Sequence, residues 1–234
     1  MREKKRFVES TARAMREMSR EKKPYRITLL KNLFVVHPTV FSPRYFNDTE
    51  FFSKALPPLN GRTFLEIGCG TGVISIFAAR KGASSVVATD INPNAVANAK
   101  ENVKKHKLQR IIRVLEGGLF GPIGARRFDV IFWNIPFGHV RKKKLSIVEK
   151  ALFDPEYRQF SRFCKQAKHH LAGGGRLWIG FSPTIGHNGL FRKILRENQY
   201  AVKKIGETIQ PQWIGQPKNL VKLELLEAVP LKKE

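Results

Sequence analysis

From Arg62 onward the chain alternates between two hydrophobic periods, and no other feature restricts its fold as much. Short apolar runs at Thr63–Ile67, Ser85–Asp90, Ile111–Leu115 and Phe128–Asn134 read as strands. Helical spacing fills Val73–Lys81, closed by Gly82, and Pro93–Lys107. A long helix is predicted over Asp154–Leu171, ending at Gly173-Gly174-Gly175, then a strand at Arg176–Phe181 and a helix at Gly189–Gln199. Ala201–Ile209 and Leu220–Ala228 alternate as strands do. Strands alternating with helices predict an α/β fold, a mostly parallel sheet covered on both faces. The last two strands lack a helix between them, so they form an antiparallel C-terminal pair.

Composition narrows the setting. The 234 residues suit one domain, or one domain with a small arm. Such a chain buries roughly 70% of its unfolded surface and needs no staple. An apolar fraction of 42%, with 17 Phe, excludes wholesale disorder. Cys69 and Cys164 have no metal or redox spacing, which excludes a disulfide-framed secreted domain and makes a reducing cytoplasm the default. No His/Cys/Asp set has metal-ligand spacing, so no metal is expected. The longest uncharged stretch, Leu177 to Phe191, is interrupted by Pro, Gly, Ser and Asn and does not read as a membrane span. No apolar stretch follows the basic N-terminus as a signal peptide would require. The formal net charge of +24 implies an anionic partner: nucleic acid, a ribonucleoprotein, an anionic membrane surface or an acidic ligand. A merely solvated lysine-rich surface is the alternative.

The first 37 residues read as a basic arm of helix and strand ahead of a domain spanning 38–234. Residues 1–23 place Phe7, Val8, Ala12, Met15 and Met18 on one helical face and Arg2, Lys4, Lys5, Arg6, Arg13, Arg16 and Arg20 on the other; Pro24 ends the helix. That helix docks on the domain, touches phosphates or lies on a membrane surface. A strand is predicted over Leu29–Val36, a loop over His37–Phe46, and a helix over Asp48–Leu56 with Asp48 as its cap.

Leu65-Glu66-Ile67-Gly68-Cys69-Gly70-Thr71-Gly72 follows a strand and opens a helix. Glycines there let the backbone turn tightly and approach a ligand. Asp90 ends the next strand, where a carboxylate can take both hydroxyls of a ribose. The dinucleotide fingerprint needs its third glycine one position later, where this chain has Val73, which counts against NAD. Glu66 would repel a pyrophosphate and attract a cationic amino group. A ribose, an amino-acid end and a positive centre together describe S-adenosylmethionine.

Leu65 to Gly72, with Asp90-Ile91-Asn92-Pro93, resembles the first two motifs of class I S-adenosylmethionine-dependent methyltransferases. The order of elements from about Pro38 to Ala228 is similar to that family's Rossmann-like, doubly wound seven-stranded sheet. The resemblance implies that Glu66 lies near the methionine amino group and that Gly68, Cys69 and Gly70, in the turn closed by Gly72, line methionine and ribose. It also implies that Asp90 holds the ribose hydroxyls, with Ile91 against the adenine. Glu116-Gly117-Gly118-Leu119-Phe120 resembles the family's Gly-Asp-Leu-Phe, with Gly118 where an Asp contacts the adenine amine. Adenine binding there falls to backbone groups around Gly118 and Leu119.

Phe128–Trp133 runs into Asn134-Ile135-Pro136-Phe137. This resembles the Asn/Asp-Pro-Pro-Tyr/Phe motif of methyltransferases acting on planar amino nitrogens: base amines in RNA or DNA and the glutamine amide of release factors. Such a nitrogen is a poor nucleophile because its lone pair is delocalised. Two acceptors around its N–H groups can aim that lone pair at a methyl sulfonium. The Asn134 side-chain oxygen and the Ile135 carbonyl are the candidates; Pro136 fixes the turn and Phe137 offers a stacking face. Orientation carries most of the acceleration.

Phe41-Ser42-Pro43-Arg44-Tyr45-Phe46-Asn47-Asp48-Thr49-Glu50 resembles the Pro-Arg…Thr-Glu segment of release-factor glutamine methyltransferases. Arg141-Lys142-Lys143-Lys144 follows the tetrapeptide and would hold phosphates flanking a target base, with His139 beside it and Arg44 extending the basic track. The sequence therefore predicts an S-adenosylmethionine-dependent N-methyltransferase acting on a base in RNA. A protein glutamine or small amine substrate is the alternative, and a non-catalytic RNA-binding factor on the same fold is another.

Overall fold

Apolar runs that each bury both faces of a strand pair side by side and form the sheet. The computed structural model describes residues 2–139, 144–211 and 219–231, with side chains from residue 9 onward. Strands β3 (Thr63–Ile67), β4 (Ser85–Asp90), β5 (Ile112–Glu116), β6 (Phe128–Asn134), β7 (Leu171–Phe181), β8 (Tyr200–Pro211) and β9 (Leu220–Pro230) stand in the order β5-β4-β3-β6-β7-β9-β8. Pairing is parallel from β5 to β7, and β9 runs antiparallel between β7 and β8. Strand order reverses at β3, where Leu65 is flanked by Val87 and Ile131. The crevice at the strand C-termini opens at such a reversal.

Helices α2 (Asp48–Ala55), α3 (Val73–Arg80), α4 (Pro93–Lys105), α5 (Arg158–His170) and α6 (Asn188–Glu197) flank the sheet. Side-chain alternation divides the core: Phe52, Phe64, Phe132 and Trp178 pack on one face, and Leu65, Ile131, Phe160 and Phe191 on the other. Each such side chain contributes about 1.5–3 kcal/mol on burial.

Several boundaries differ from the sequence reading. The strand predicted over Leu29–Val36 is half of a hairpin, β1 (Tyr25–Leu29) against β2 (Asn32–Val36). Leu30 and Lys31 turn the chain at φ 50° and 61°, a left-handed pair normally signalled by Asn-Gly. The hairpin docks on α4 through buried asparagines. Asn102 Oδ1 accepts from the Val35 N–H (2.8 Å), and both Asn98 and Asn102 donate to the Val35 carbonyl (2.8 Å each). Asn102 also donates to the Thr71 carbonyl (2.9 Å), joining the hairpin to the glycine turn.

The helix predicted over Asp154–Leu171 begins only at Arg158. Glu156 (φ 54°) and Tyr157 (φ 50°) break the chain before it, and the Asp154 carboxylate caps it by accepting from Gln159 (3.1 Å) and Phe160 (2.9 Å). Gly173–Gly175 lie inside β7 rather than after a helix, at an irregularity in the pairing with β6. Helix α1 (Arg2–Arg20) buries Ser10, Thr11, Ala14 and the predicted Met18; the predicted Ala12 and Met15 are half-buried, and the Phe7 and Val8 side chains lie outside the described ones. Ala14 sits on Phe46. Small residues suit this close docking.

Candidate active site

The turn after β3 is built from three glycines with positive φ: Gly68 (67°), Gly70 (53°) and Gly72 (77°). Gly72 is needed for packing, since a Cβ there would come within 3.0 Å of Ala99 Cβ on α4. Gly70 is needed for its conformation; the space over its Cα is open. Asp90, ending β4, accepts from the Gly70 N–H (2.9 Å, Oδ2) and the Asn92 N–H (2.8 Å, Oδ1). Burial pushes the Asp90 carboxyl up, while these backbone bonds pull it down. Glu66 is 3% exposed and accepts from the Ser75 hydroxyl. Burial raises its carboxyl to about 8 against the Ser75 bonds, and Asp90 adds to the rise. A buried acid so displaced favours a cation beside it.

A cavity of about 760 Å³ runs from this turn to the end of β6. Glu66, Gly68, Cys69 and Gly70 line one part, with Asp90, Ile91, Gly118 and Leu119 nearby. Ile91 is 51% exposed although apolar, a surface that a flat base could cover. Asn134, Ile135 and Phe137 line the other part. The corner there is pinned by Tyr157, whose hydroxyl donates to the Phe137 carbonyl (2.9 Å) and accepts from the His187 N–H (2.9 Å). Phe137 meets Phe181 edge-on at 6.3 Å.

Asp48 is not the cap of α2. Asn47 holds that position, and the Asp48 carboxylate instead accepts from Asn134 Nδ2 (2.8 Å) and from the Thr49 N–H (2.8 Å). The hydrogen bond turns Asn134 Oδ1 inward, where it is buried without a partner. A Cβ on Gly180 would lie 2.9 Å from that oxygen. Sequence reasoning missed Asp48, Thr11 of α1 and Gln210 of β8 as cavity-lining residues. Only Asp48 carried a signal, its place in the Asp-Thr-Glu of the upstream segment.

The predicted substrate residues are more scattered. Arg44 pairs with Glu21 (2.8 Å) and lies over the Tyr25 ring at 4.0 Å, so it ties the arm to its loop and does not line the cavity. His139 sits between the rings of Tyr157 (5.8 Å) and His187 (5.3 Å). Lys144 is exposed, and Arg141, Lys142 and Lys143 fall outside the described residues. Arg158 and Arg162, one turn apart on α5, do line the cavity. Among the described residues no group of three His, Cys, Asp or Glu could hold a metal ion, and no helix is long and apolar enough to cross a membrane.

Residues 31–209 match the family described as "Methyltransferase small domain". The chain belongs to that family. This methyltransferase is 34% identical over 163 residues to a Methanocaldococcus jannaschii protein named "Putative protein N5-glutamine methyltransferase", covering 68% of this chain and 80% of that one. It is 36% identical over 107 residues to the release factor glutamine methyltransferase of Geobacter sulfurreducens, covering 44% of this chain and 36% of the relative. Among solved structures, the T. thermophilus 16S rRNA N2 G1207 methyltransferase, in complex with AdoMet and guanosine, superposes with a TM-score of 0.61 at 20% identity, over 89% of this chain and 50% of the other. Trm5b of Pyrococcus abyssi does so with a TM-score of 0.61 at 19% identity, over 90% and 57%. These two likenesses show the doubly wound fold. The methyltransferase thus has the class I fold, and its cofactor is S-adenosylmethionine. The cavity fits that donor: an acid displaced toward neutrality at Glu66, a carboxylate at Asp90, open space over Gly70 and exposed apolar surface at Ile91.

Proposed function

We propose that the methyltransferase moves a methyl group from S-adenosylmethionine to a planar amino nitrogen of a base in RNA. The observation that carries this reading is the Asn134–Phe137 corner closing the same cavity that the glycine turn opens. The donor, when bound, supplies a methyl group on a positively charged sulfur. In this reading Asp90 holds the ribose hydroxyls, Ile91 covers the adenine, Glu66 faces the amino group, and backbone groups at Gly118 and Leu119 meet the adenine edge. Phe137 stacks on the acceptor and the Asn134 corner orients its nitrogen, so proximity rather than a strong base drives transfer.

The net charge of +24 and Arg162 beside the cavity, next to an Arg158 that is ion-paired with Glu156 (2.7 Å), support RNA as the partner. An extruded base would enter with its phosphates against these cations. A cytoplasmic location goes with this, a compartment that keeps the buried thiols of Cys69 and Cys164 reduced. Similarity to the M. jannaschii relative favours a second reading, a glutamine amide of a protein.

Incubation with methyl-labelled S-adenosylmethionine and fractionated cell extract tests both. Label in RNA, lost steeply as salt rises, is the expected result. Label confined to protein favours the second reading, and no label in any fraction refutes amino-nitrogen transfer.

A further inference from the structure

The asparagine of the tetrapeptide is turned away from the task its motif suggests. With Asp48 ionised, only the NH₂ end of the amide can face it, and the 2.8 Å bond from Asn134 Nδ2 to Asp48 Oδ2 has that orientation. Oδ1 is left buried against Gly180, with no partner and no access to solvent. Asp48 itself lines the cavity together with Asn134, Ile135 and Phe137. It is 9% exposed, and among the described residues no basic side chain pairs with it. An ionised carboxylate has about four lone-pair positions. The Thr49 N–H and Asn134 Nδ2 occupy two of them. The Thr49 hydroxyl and the Asp48 N–H also bear on the carboxylate, so an incoming N–H needs a position that they do not block.

We infer that Asp48 is the acceptor that receives an N–H of the target nitrogen, while Asn134 is a positioning residue that holds the Asp48 carboxylate in place. The inference rests on the amino-nitrogen reading above. As the nitrogen–carbon bond forms, the carbon–sulfur bond of the donor breaks and its electron pair stays on sulfur. The nitrogen then carries the positive charge and one proton too many. Asp48 takes that proton and passes it to water when the methylated product leaves. Burial already pushes the Asp48 carboxyl up, against the bonds from Asn134 and Thr49, so the protonated form is accessible.

The test uses the full chain, labelled S-adenosylmethionine and the extract fraction that the wild type methylates. Asp48→Asn and Asp48→Ala are each expected to lower kcat by about 10²–10³-fold, the usual contribution of a positioned proton acceptor. S-adenosylmethionine affinity by calorimetry should stay near wild type in both variants, and the melting temperature should hold in Asp48→Asn, which keeps an acceptor for Asn134 Nδ2. Asn134→Ala, which keeps the carboxylate and removes one of its donors, should lose only about tenfold. Formate should restore part of the Asp48→Ala rate, which a purely structural role would not allow. The inference is overturned if either Asp48 variant keeps more than a tenth of the wild-type kcat, if the order of severity is reversed, or if cofactor affinity falls in step with turnover. A wild type that methylates no fraction refutes the amino-nitrogen reading itself, and this inference with it.

Discussion

Glu66 makes donor binding depend on pH in a direction that can be worked out beforehand. The free protein holds this carboxyl at about 8, chiefly through burial, so at pH 7 about one molecule in ten is ionised. A cationic amino group beside it needs the ionised form. Binding at pH 7 therefore releases close to one proton, and affinity for S-adenosylmethionine rises about tenfold from pH 6 to pH 7, or ~1.4 kcal/mol. Above about pH 8 the gain ends, because the carboxyl is ionised and the donor's own amino group begins to lose its charge. Calorimetry in two buffers of different ionisation enthalpy reads the proton release directly. Glu66→Gln should bind weakly, with no proton release and no rise over that range. A wild-type affinity that is flat from pH 6 to 7, or a Gln variant that keeps the slope, would refute the placement of the amino group at Glu66. The same raised carboxyl affects stability. Its contribution is present below its ordinary value near 4.5 and is lost as pH rises to about 8, so the Gln variant should gain on the wild type over that window.

Other perturbations follow from single contacts. Asn102→Ala leaves the Val35 N–H without its side-chain acceptor and frees the Thr71 carbonyl. Chemical denaturation should show a loss of about 1–3 kcal/mol, with weaker donor binding. Tyr157→Phe removes the hydroxyl that joins the Phe137 carbonyl to the His187 N–H. Turnover should fall several-fold while donor affinity by calorimetry holds, since the glycine turn is untouched.

The half of the cavity proposed to take the donor was legible in the sequence because its chemistry is local. Glycines from 68 to 72 and a carboxylate at the next strand end sit at spacings set by one strand–turn–helix unit. The acceptor half was only partly legible. Asp48 meets Asn134 across 86 positions, and nothing in either segment announces the pairing; a helix-capping role was the local reading of an Asp at that place. The hairpin over Tyr25–Val36 escaped notice because Leu30-Lys31 carries no turn signature, although the strand β2 lay where apolar spacing put it. Arg44 looked like a phosphate ligand in a basic chain, yet Glu21 and Tyr25 already occupy it. The face of α1 was legible in part: Met18 is buried as its spacing predicts, while close approach also selects Ser10, Thr11 and Ala14.

That close approach has a consequence for how the arm can vary. Thr11 is fully enclosed and forms part of the cavity wall, and Ala14 is equally enclosed against Phe46. The first helix is therefore a roof tile laid directly on the chamber. A longer side chain at 11 or 14 would lift the tile and let water into the chamber beneath it.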